Sequence, residues 1–516
     1  MNPVGCRDAL QQVCDRAKVD LKIGAVVGDD ITSRIPELRQ AGVREMFTGE
    51  AIPEAEFTSA NAYFGAKPIA AALAEGCEIV VTGRCVDSAL ALGILMHEFG
   101  WKDDEYDKLC MGTCVGHLLE CSAQCTGGLF TDYQVQKWDN IGYPIAEVSE
   151  DGSFTVSKPD NTDGIVCFGS VAEQLCYEIQ DPGAYLCPDV ACDFTSVKIE
   201  EVGQDLVRVS GGRGLPPTDT YKVCCTIPDN LTNLQLMLIV GHDAAAKARK
   251  THETVLGRAR KIFEFLGMED FIETHFEALG ASHFDPNGDE STATEVVAKV
   301  GLKHKDKRAF GIYAQQAISS GVSMAQGTTT FGGTGIAGKV SEVLRVFSLV
   351  VPKNSLSCRV IVGDKELPVP VPTGGGFPGS ASSRTAPVAA AAPASGEPLE
   401  SVPLLRLCWA RSGDKGNMAN VALIARRPEY LPLLRHTVTA ERVKAYFAKR
   451  VSGRVERYDM PGIGAMNFLL YDALGGGGMA TLHSDPLAKT FGQVLLLMRV
   501  AVPKSWGLGD MPQARL

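Results

Sequence analysis

With 516 residues the chain exceeds the size at which one hydrophobic core keeps growing, so two domains are expected. Apolar residues at 45% and charged residues at 22% describe an ordinary globular protein and exclude a mostly disordered, collagen-like or coiled-coil chain. Fifty basic against 61 acidic residues leave a formal charge of −11, which repels phosphate backbones, so nucleic acid is not an expected partner.

No apolar run reaches the roughly 18 to 20 residues that span a bilayer, so no membrane partner is expected. The start, Met1-Asn2-Pro3-Val4-Gly5, carries neither a secretory nor a transit pattern, and a cytoplasmic location follows as the expectation. The 16 cysteines of so long a chain read as reduced, mostly buried small residues rather than as a disulfide framework.

In chain order, Leu21 to Val27 is a β-rich run ending in Gly28-Asp29-Asp30. Ala66 to Glu75 is helical, Cys77 to Thr82 is a buried strand ending in Gly83-Arg84, and Ser88 to Phe99 is a helix. This rhythm predicts an α/β fold with a doubly wound, mostly parallel sheet, whose strand-end loops would face a pocket. No GxGxxG or Walker A sequence is present, so a dinucleotide or nucleoside triphosphate has no motif behind it. From about Thr195 the runs VKIEEV, LVRVS, YKVCCTI and LQLMLIV read as separate strands before a helix from His242 to Leu266, an α+β second half.

The strand-end loops supply the first candidate residues. Asp29 and Asp30 hold a ligand hydroxyl or a metal, or else cap the next helix. Asn61 and Tyr63 bind polar groups of a substrate or satisfy buried backbone. Arg84 offers a bidentate fork to a carboxylate or phosphate, with Asp87 beside it; the alternative is a structural ion pair.

Residues 103–126 hold Cys110, Cys114, His117, Cys121 and Cys125. On one helix these five would fall within an arc of about 80°. Ligands strung along a single helix face cannot converge on one ion, so no metal is expected there and close packing helped by Gly112 and Gly116 is favoured. His117, Glu120 and Cys121, within about one turn, remain candidates for acid/base or nucleophilic work, joined by Asp87. Asp189 and Asp193 share a helical face or are turn carboxylates, the latter being favoured. Gly211 to Gly214 is an anion cradle using Arg213 or a plain hairpin turn.

The stretch from Pro368 to Pro403 is dense in Pro, Gly, Ser and Ala and cannot bury enough apolar area to order itself. The expected layout is therefore a large domain over 1–367, a flexible linker over 368–402, a small domain over 403–504 and a tail over 505–516. In the small domain Arg411, Asp414 and Lys415 lie in a polar segment between two strand-like runs. It forms a tight hairpin or a lid that offers Arg411 and Lys415 to an anionic ligand.

Several long motifs in order carry a resemblance: SANAYFGAKPIAAAL, EIVVTGRCVDSALALGILMHEFGW, GTCVGHLLECSAQCTGGLF, GGRGLPPTDTYKV and, near the end, WARSGDKGNMANVALIAR and MNFLLYDALGGGG. Together they resemble the acyclic terpene utilisation AtuA family. The resemblance implies a large AtuA domain followed by a small ferredoxin-fold domain. The resemblance also implies a strand-and-helix region ahead of the NPVG segment, which is expected to be absent here, where NPVG stands at residues 2–5.

It further implies an enzyme of acyclic isoprenoid (citronellol- or geraniol-type) or branched acyl-CoA catabolism, acting on an acyl-CoA or related carboxylate by acid/base chemistry of lyase or hydratase type. The alternative is a non-catalytic binding or assembly subunit working with acyl-CoA carboxylases. If the substrate is an acyl-CoA, coenzyme A enters as part of it, and no other cofactor is assigned; a homo-oligomer is expected of a large acidic enzyme.

Overall fold

The computed structural model describes residues 2–135, 137–331, 338–372, 377 and 397–509. Most of the expected linker, 368–402, lies outside the described residues.

The strand Ile23–Val27 is apolar and buried along nearly its whole length, as expected of a strand covered on both faces. It runs parallel to Ile79–Thr82, with the helix Lys67–Ala74 on the connection between them, and antiparallel to Arg359–Val362. The helices Pro3–Ala17 and Lys67–Ala74 pack against this sheet.

The expectation of a doubly wound, mostly parallel sheet is corrected at this point. The pairing of Ile23–Val27 with Ile79–Thr82 is the only parallel ladder between described strands; the other ladders are antiparallel. A parallel pair needs a crossover of a dozen or more residues. After the first such unit the chain mostly returns by hairpins, so the fold is a mixture of helices and largely antiparallel sheets.

The second half is organised by one 21-residue strand, Thr220–Val240. Its first part lies between Ser59–Ala62 and Val340–Pro352, and its last part pairs with Glu295–His304. YKVCCTI and LQLMLIV are thus one strand rather than two. The intervening Pro228-Asp229-Asn230 makes a register shift instead of a turn, a position where a strand tolerates proline. The helices Ala244–Leu266 and Arg308–Ser323 cover this sheet through Phe263, Phe310 and Tyr313.

The small domain is a four-stranded antiparallel sheet in the order Cys408–Lys415, Met418–Ala425, Ala465–Leu470, Val455–Met460. The pleat sends Val421 and Leu423 into a core with Leu434, Phe447 and Phe491. Ala422 and Ile424, on the opposite face, share a core with Val171, Leu175 and Ile179 of the large domain. The strand Leu399–Pro403 pairs with Arg499–Pro503 and so belongs to the same folded unit.

Candidate functional site

Glycines bring the strand-end loop 83–88 against the end of the helix Tyr106–Leu119. A Cβ on Gly116 would stand 2.5 Å from the Ser88 carbonyl oxygen, so only glycine lets the two backbones approach this closely. Gly83 likewise makes room for the Asp29 carboxylate, which is buried and accepts from the Arg84 amide at 2.7 Å and from Asn61 Nδ2 at 2.9 Å. Asp29 and Asn61 therefore tie strand ends together. Asp30 accepts from the Thr32 amide at 2.9 Å and closes a local turn.

The Arg84 guanidinium lies 4.2 Å from the centre of the Tyr63 ring, with Asp87 at 3.8 Å. A second cation near that ring, Lys222, has no signal in the sequence. The Lys222 ammonium sits 5.7 Å from the centres of both Tyr63 and Phe47. Burial first, and then the charges of Lys415 and Arg84, lower its pKa from the ordinary lysine value. Its position in a strand of alternating burial made it look like one more outward-facing side chain.

The helix Tyr106–Leu119 ends before Cys121. Glu120 turns to extended backbone, while Cys121 and Ser122 adopt φ of 60° and 59°, the left-handed region. The five-residue stripe is therefore broken. Cys110 and Cys114 are buried in the helix, Cys125 is buried beyond it, and Cys121 is exposed. Burial holds the Cys125 thiol up at about 12 and raises that of Cys114 further. Among the described residues no group of three or more His, Cys, Asp or Glu is placed to hold a metal ion.

His117 is 1% exposed, stacked on Phe194 and tilted against Tyr185. Its Nε2 is 3.2 Å from the Leu175 carbonyl oxygen, which can only accept, so Nε2 is assigned the hydrogen. Nδ1 then faces Glu120 Oε1 at 3.3 Å. His117 is thus placed to act through Glu120 rather than to touch a ligand, because Glu120 is the member of the pair with solvent access, its side chain 19% exposed.

The small domain completes the cluster. Lys415 pairs with Glu178 of the large domain, and Lys489 reaches the same carboxylate at 3.4 Å while standing 4.3 Å from the centre of the Tyr177 ring and hydrogen-bonding its hydroxyl. Burial alone would raise the pKa of Glu178; the Lys415 charge and hydrogen bond overcome it and hold the carboxyl below its usual range. Burial, and then Glu178, push Asp414 up. Burial and the carboxylates of Glu120, Glu178 and Asp87 push the Cys121 thiol up, against the pull of Lys489. Glu178, Tyr177 and Lys489 were not singled out from sequence, because they lie outside any strand-end loop and in separate domains.

Two predicted residues fall elsewhere. Arg411 is inside the strand Cys408–Lys415, not in a loop; it is 5% exposed and its guanidinium donates to the carbonyls of Leu129 and Gly128 at 3.2 Å each. The segment 411–417 is accordingly a tight hairpin, not a lid. Arg213 is exposed beside Gly214, whose amide donates to Asp107 in the first turn of the helix Tyr106–Leu119. That turn lies about 20 Å along the axis from Glu120. Asp193 accepts from the Thr195 amide at 2.9 Å as a turn carboxylate, and buried Asp189 accepts from the Ala66 amide at 2.7 Å.

Arg84, Lys222, Lys415 and Lys489 therefore share a neighbourhood with Asp87, Glu120, Glu178 and Cys121. Cations on aromatic faces beside protonatable carboxyls suit an anionic ligand on which a proton is moved.

Comparison with known proteins agrees with the motif resemblance. Residues 1–362 match the model of the acyclic terpene utilisation family protein AtuA, and residues 402–501 match the AtuA ferredoxin-like domain. Neither the curated proteins nor the solved structures contain a match to the chain. The chain belongs to the acyclic terpene utilisation AtuA family, with a ferredoxin-like domain at its C-terminal end.

Proposed function

We propose that the protein is an enzyme of acyclic isoprenoid or branched acyl catabolism that moves a proton on an acyl-CoA or a related carboxylate. The contact that carries this reading is the 3.3 Å approach of His117 Nδ1 to Glu120 Oε1. Nδ1 is buried and makes no hydrogen bond at that contact, so an imidazole nitrogen with no other partner stands beside the accessible carboxylate. Glu120, the accessible member, gives the proton to the substrate or takes it, with His117 packed behind it.

Arg84 and Lys415 bind the negative charge of the substrate or of its enolate, where preorganised cations stabilise developing charge. Lys222, held partly desolvated on Tyr63, adds to the same field. Asp87 keeps Arg84 in place. A lyase or hydratase step, in which a proton leaves or joins the carbon next to a carbonyl, fits these roles.

The test is turnover of a panel of CoA thioesters and free acids with branched chains, followed by mass spectrometry. Glu120→Gln lowers kcat by roughly 10²- to 10⁴-fold with little change in KM, the range expected for loss of a general acid or base. Equal turnover by the wild type and Glu120→Gln would remove Glu120 from the chemistry.

A further inference from the structure

Beside the charged cluster, and not used by it, lies a cavity of about 460 Å³ between the two domains. The turn region of the large domain forms one wall through Leu129, Phe130, Trp138 and Ile141; Tyr177 and Lys489 stand on the side of the charged cluster. Leu129 is 62% exposed and Trp138 is 55% exposed, large apolar side chains left open to water around one concavity. Leu129 also holds φ of 60°, a left-handed conformation that a leucine rarely adopts, and its carbonyl is fixed by Arg411. The lining is apolar on one side and cationic at one edge, and the size falls in the range of small-molecule sites.

We infer that this interdomain cavity is a tail pocket, taking the hydrocarbon chain of an anionic amphiphile whose charged head lies at Lys489 and the cluster beyond it. The inference rests on the reading that the cluster binds the head of an anionic substrate, and adds to it the residues that select chain length. Charge complementarity fixes the orientation. Lys489 bonds Tyr177 and Glu178, so the cationic edge of the cavity is also an edge of the catalytic cluster. Of the other polar side chains in the lining, Thr131, Arg411 and Ser412 already bond protein groups, while the buried side-chain oxygen of Gln124 has no hydrogen-bond partner among the described residues; the wall of Leu129, Phe130, Trp138 and Ile141 offers a chain apolar contact. Walls from both domains mean that the pocket exists only when the domains are docked.

The experiment measures binding of butyrate, hexanoate, octanoate and decanoate to the full chain by calorimetry. Affinity should rise by about fourfold per added methylene while the tail still finds wall, the equivalent of roughly 0.8 kcal/mol for each buried methylene. In the double variant Leu129→Asn, Trp138→Ala that rise flattens and butyrate binding stays unchanged. Both side chains are mostly exposed, and asparagine is well suited to the left-handed backbone, so the variant keeps its fold.

A wild type that binds all four acids equally overturns the pocket, as would be seen if a segment of the chain itself filled it. A chain-length rise that the double variant preserves places the tail elsewhere. Lys489→Ala separates the two readings: if it leaves butyrate binding intact, the head-binding cluster falls, and with it the orientation proposed for the tail.

Discussion

Glu178 of the large domain lies between Lys415 and Lys489 of the small one, and Gly413 is the residue that lets it. A Cβ at Gly413 would stand 2.5 Å from Glu178 Cγ. Glu178 itself has φ of 58°, a conformation that a glutamate adopts only when its surroundings hold it there. The domain contact and the charged cluster are thus one feature. Two of the cluster's four cations, Lys415 and Lys489, arrive on the small domain, and the carboxylate that fixes them is presented by strained backbone on the large one.

Glu178→Gln keeps the shape and removes the charge. With Lys415 already 36% exposed, loss of the pair costs about 1 to 2 kcal/mol after allowing for solvent screening. The larger effect falls on function, because both lysines lose the carboxylate that positions them. KM for an anionic substrate should rise by about tenfold or more while the melting temperature changes by only a few degrees. A variant with wild-type KM would mean that the pair only joins the domains.

Gly116→Ala tests the packing of the helix end that carries Glu120 against the loop 83–88. The added methyl meets Ser88 backbone rather than a side chain that can swing away, so the helix Tyr106–Leu119 must shift. Overpacking of this kind costs roughly 1 to 3 kcal/mol. Turnover should fall by far more than stability does, since a displacement of about 1 Å in a catalytic group can cost 10²-fold. Thermal unfolding and kcat measured on one preparation separate the two effects.

The elements legible in the sequence were those whose pattern is local. The strand at Ile23, the helices at Lys67 and Ala89, and the small domain's hairpin follow from apolar runs and helical periodicity. Sheet direction was not legible, because a strand buried on both faces reads alike in parallel and antiparallel pairing. Within the site, Arg84, Asp87 and Lys415 stand out as polar residues in loops between elements, and Glu120 by lying within about one turn of His117 and Cys121. Lys222 sits mid-strand, and Glu178 and Lys489 meet only through tertiary structure, so no spacing along the chain signals them. Arg411 looked like a loop cation because its strand continues further than the hydrophobic run.

His252 should withdraw stability as the pH drops from 7 toward 4, against a contribution of opposite sign from Glu173, whose carboxyl burial pushes up to about 7. His252 stacks on Phe276 and bonds the Tyr313 hydroxyl, and burial, aided by Arg249 and Arg260, lowers its pKa to about 4. A folded-state pKa below the unfolded value of about 6.5 means that the unfolded chain takes up the proton first. The contribution is full above pH 6.5 and is lost as the pH falls from there toward 4. His483, also lowered by burial, adds in the same direction. The size for His252 is on the order of 3 kcal/mol. His252→Gln should flatten the dependence of the unfolding free energy between pH 7 and 5; an unchanged slope would assign it to other groups.

The two domains should assemble from separate chains. Their interface is a built one: Asp132 of the large domain accepts from Trp409 Nε1 and from Arg426 Nη1, each at 2.7 Å, and all of this is largely shielded from water. Asn420 and Asn467 of the small domain add hydrogen bonds to Gln180, and Asn420 donates to the Cys176 carbonyl at 3.1 Å. Paired polar groups this deep are strongly favourable only when every partner is present. Fragments 1–367 and 398–516, co-expressed with a tag on one, should therefore co-purify as a one-to-one complex that retains turnover. Asp132→Ala leaves Arg426 buried without its carboxylate, which costs about 3 kcal/mol or more and lowers the association by roughly 10²-fold. Fragments that fold but stay apart, or an Asp132→Ala pair that associates as tightly as the wild type, would show that the covalent connection rather than this interface holds the small domain in place.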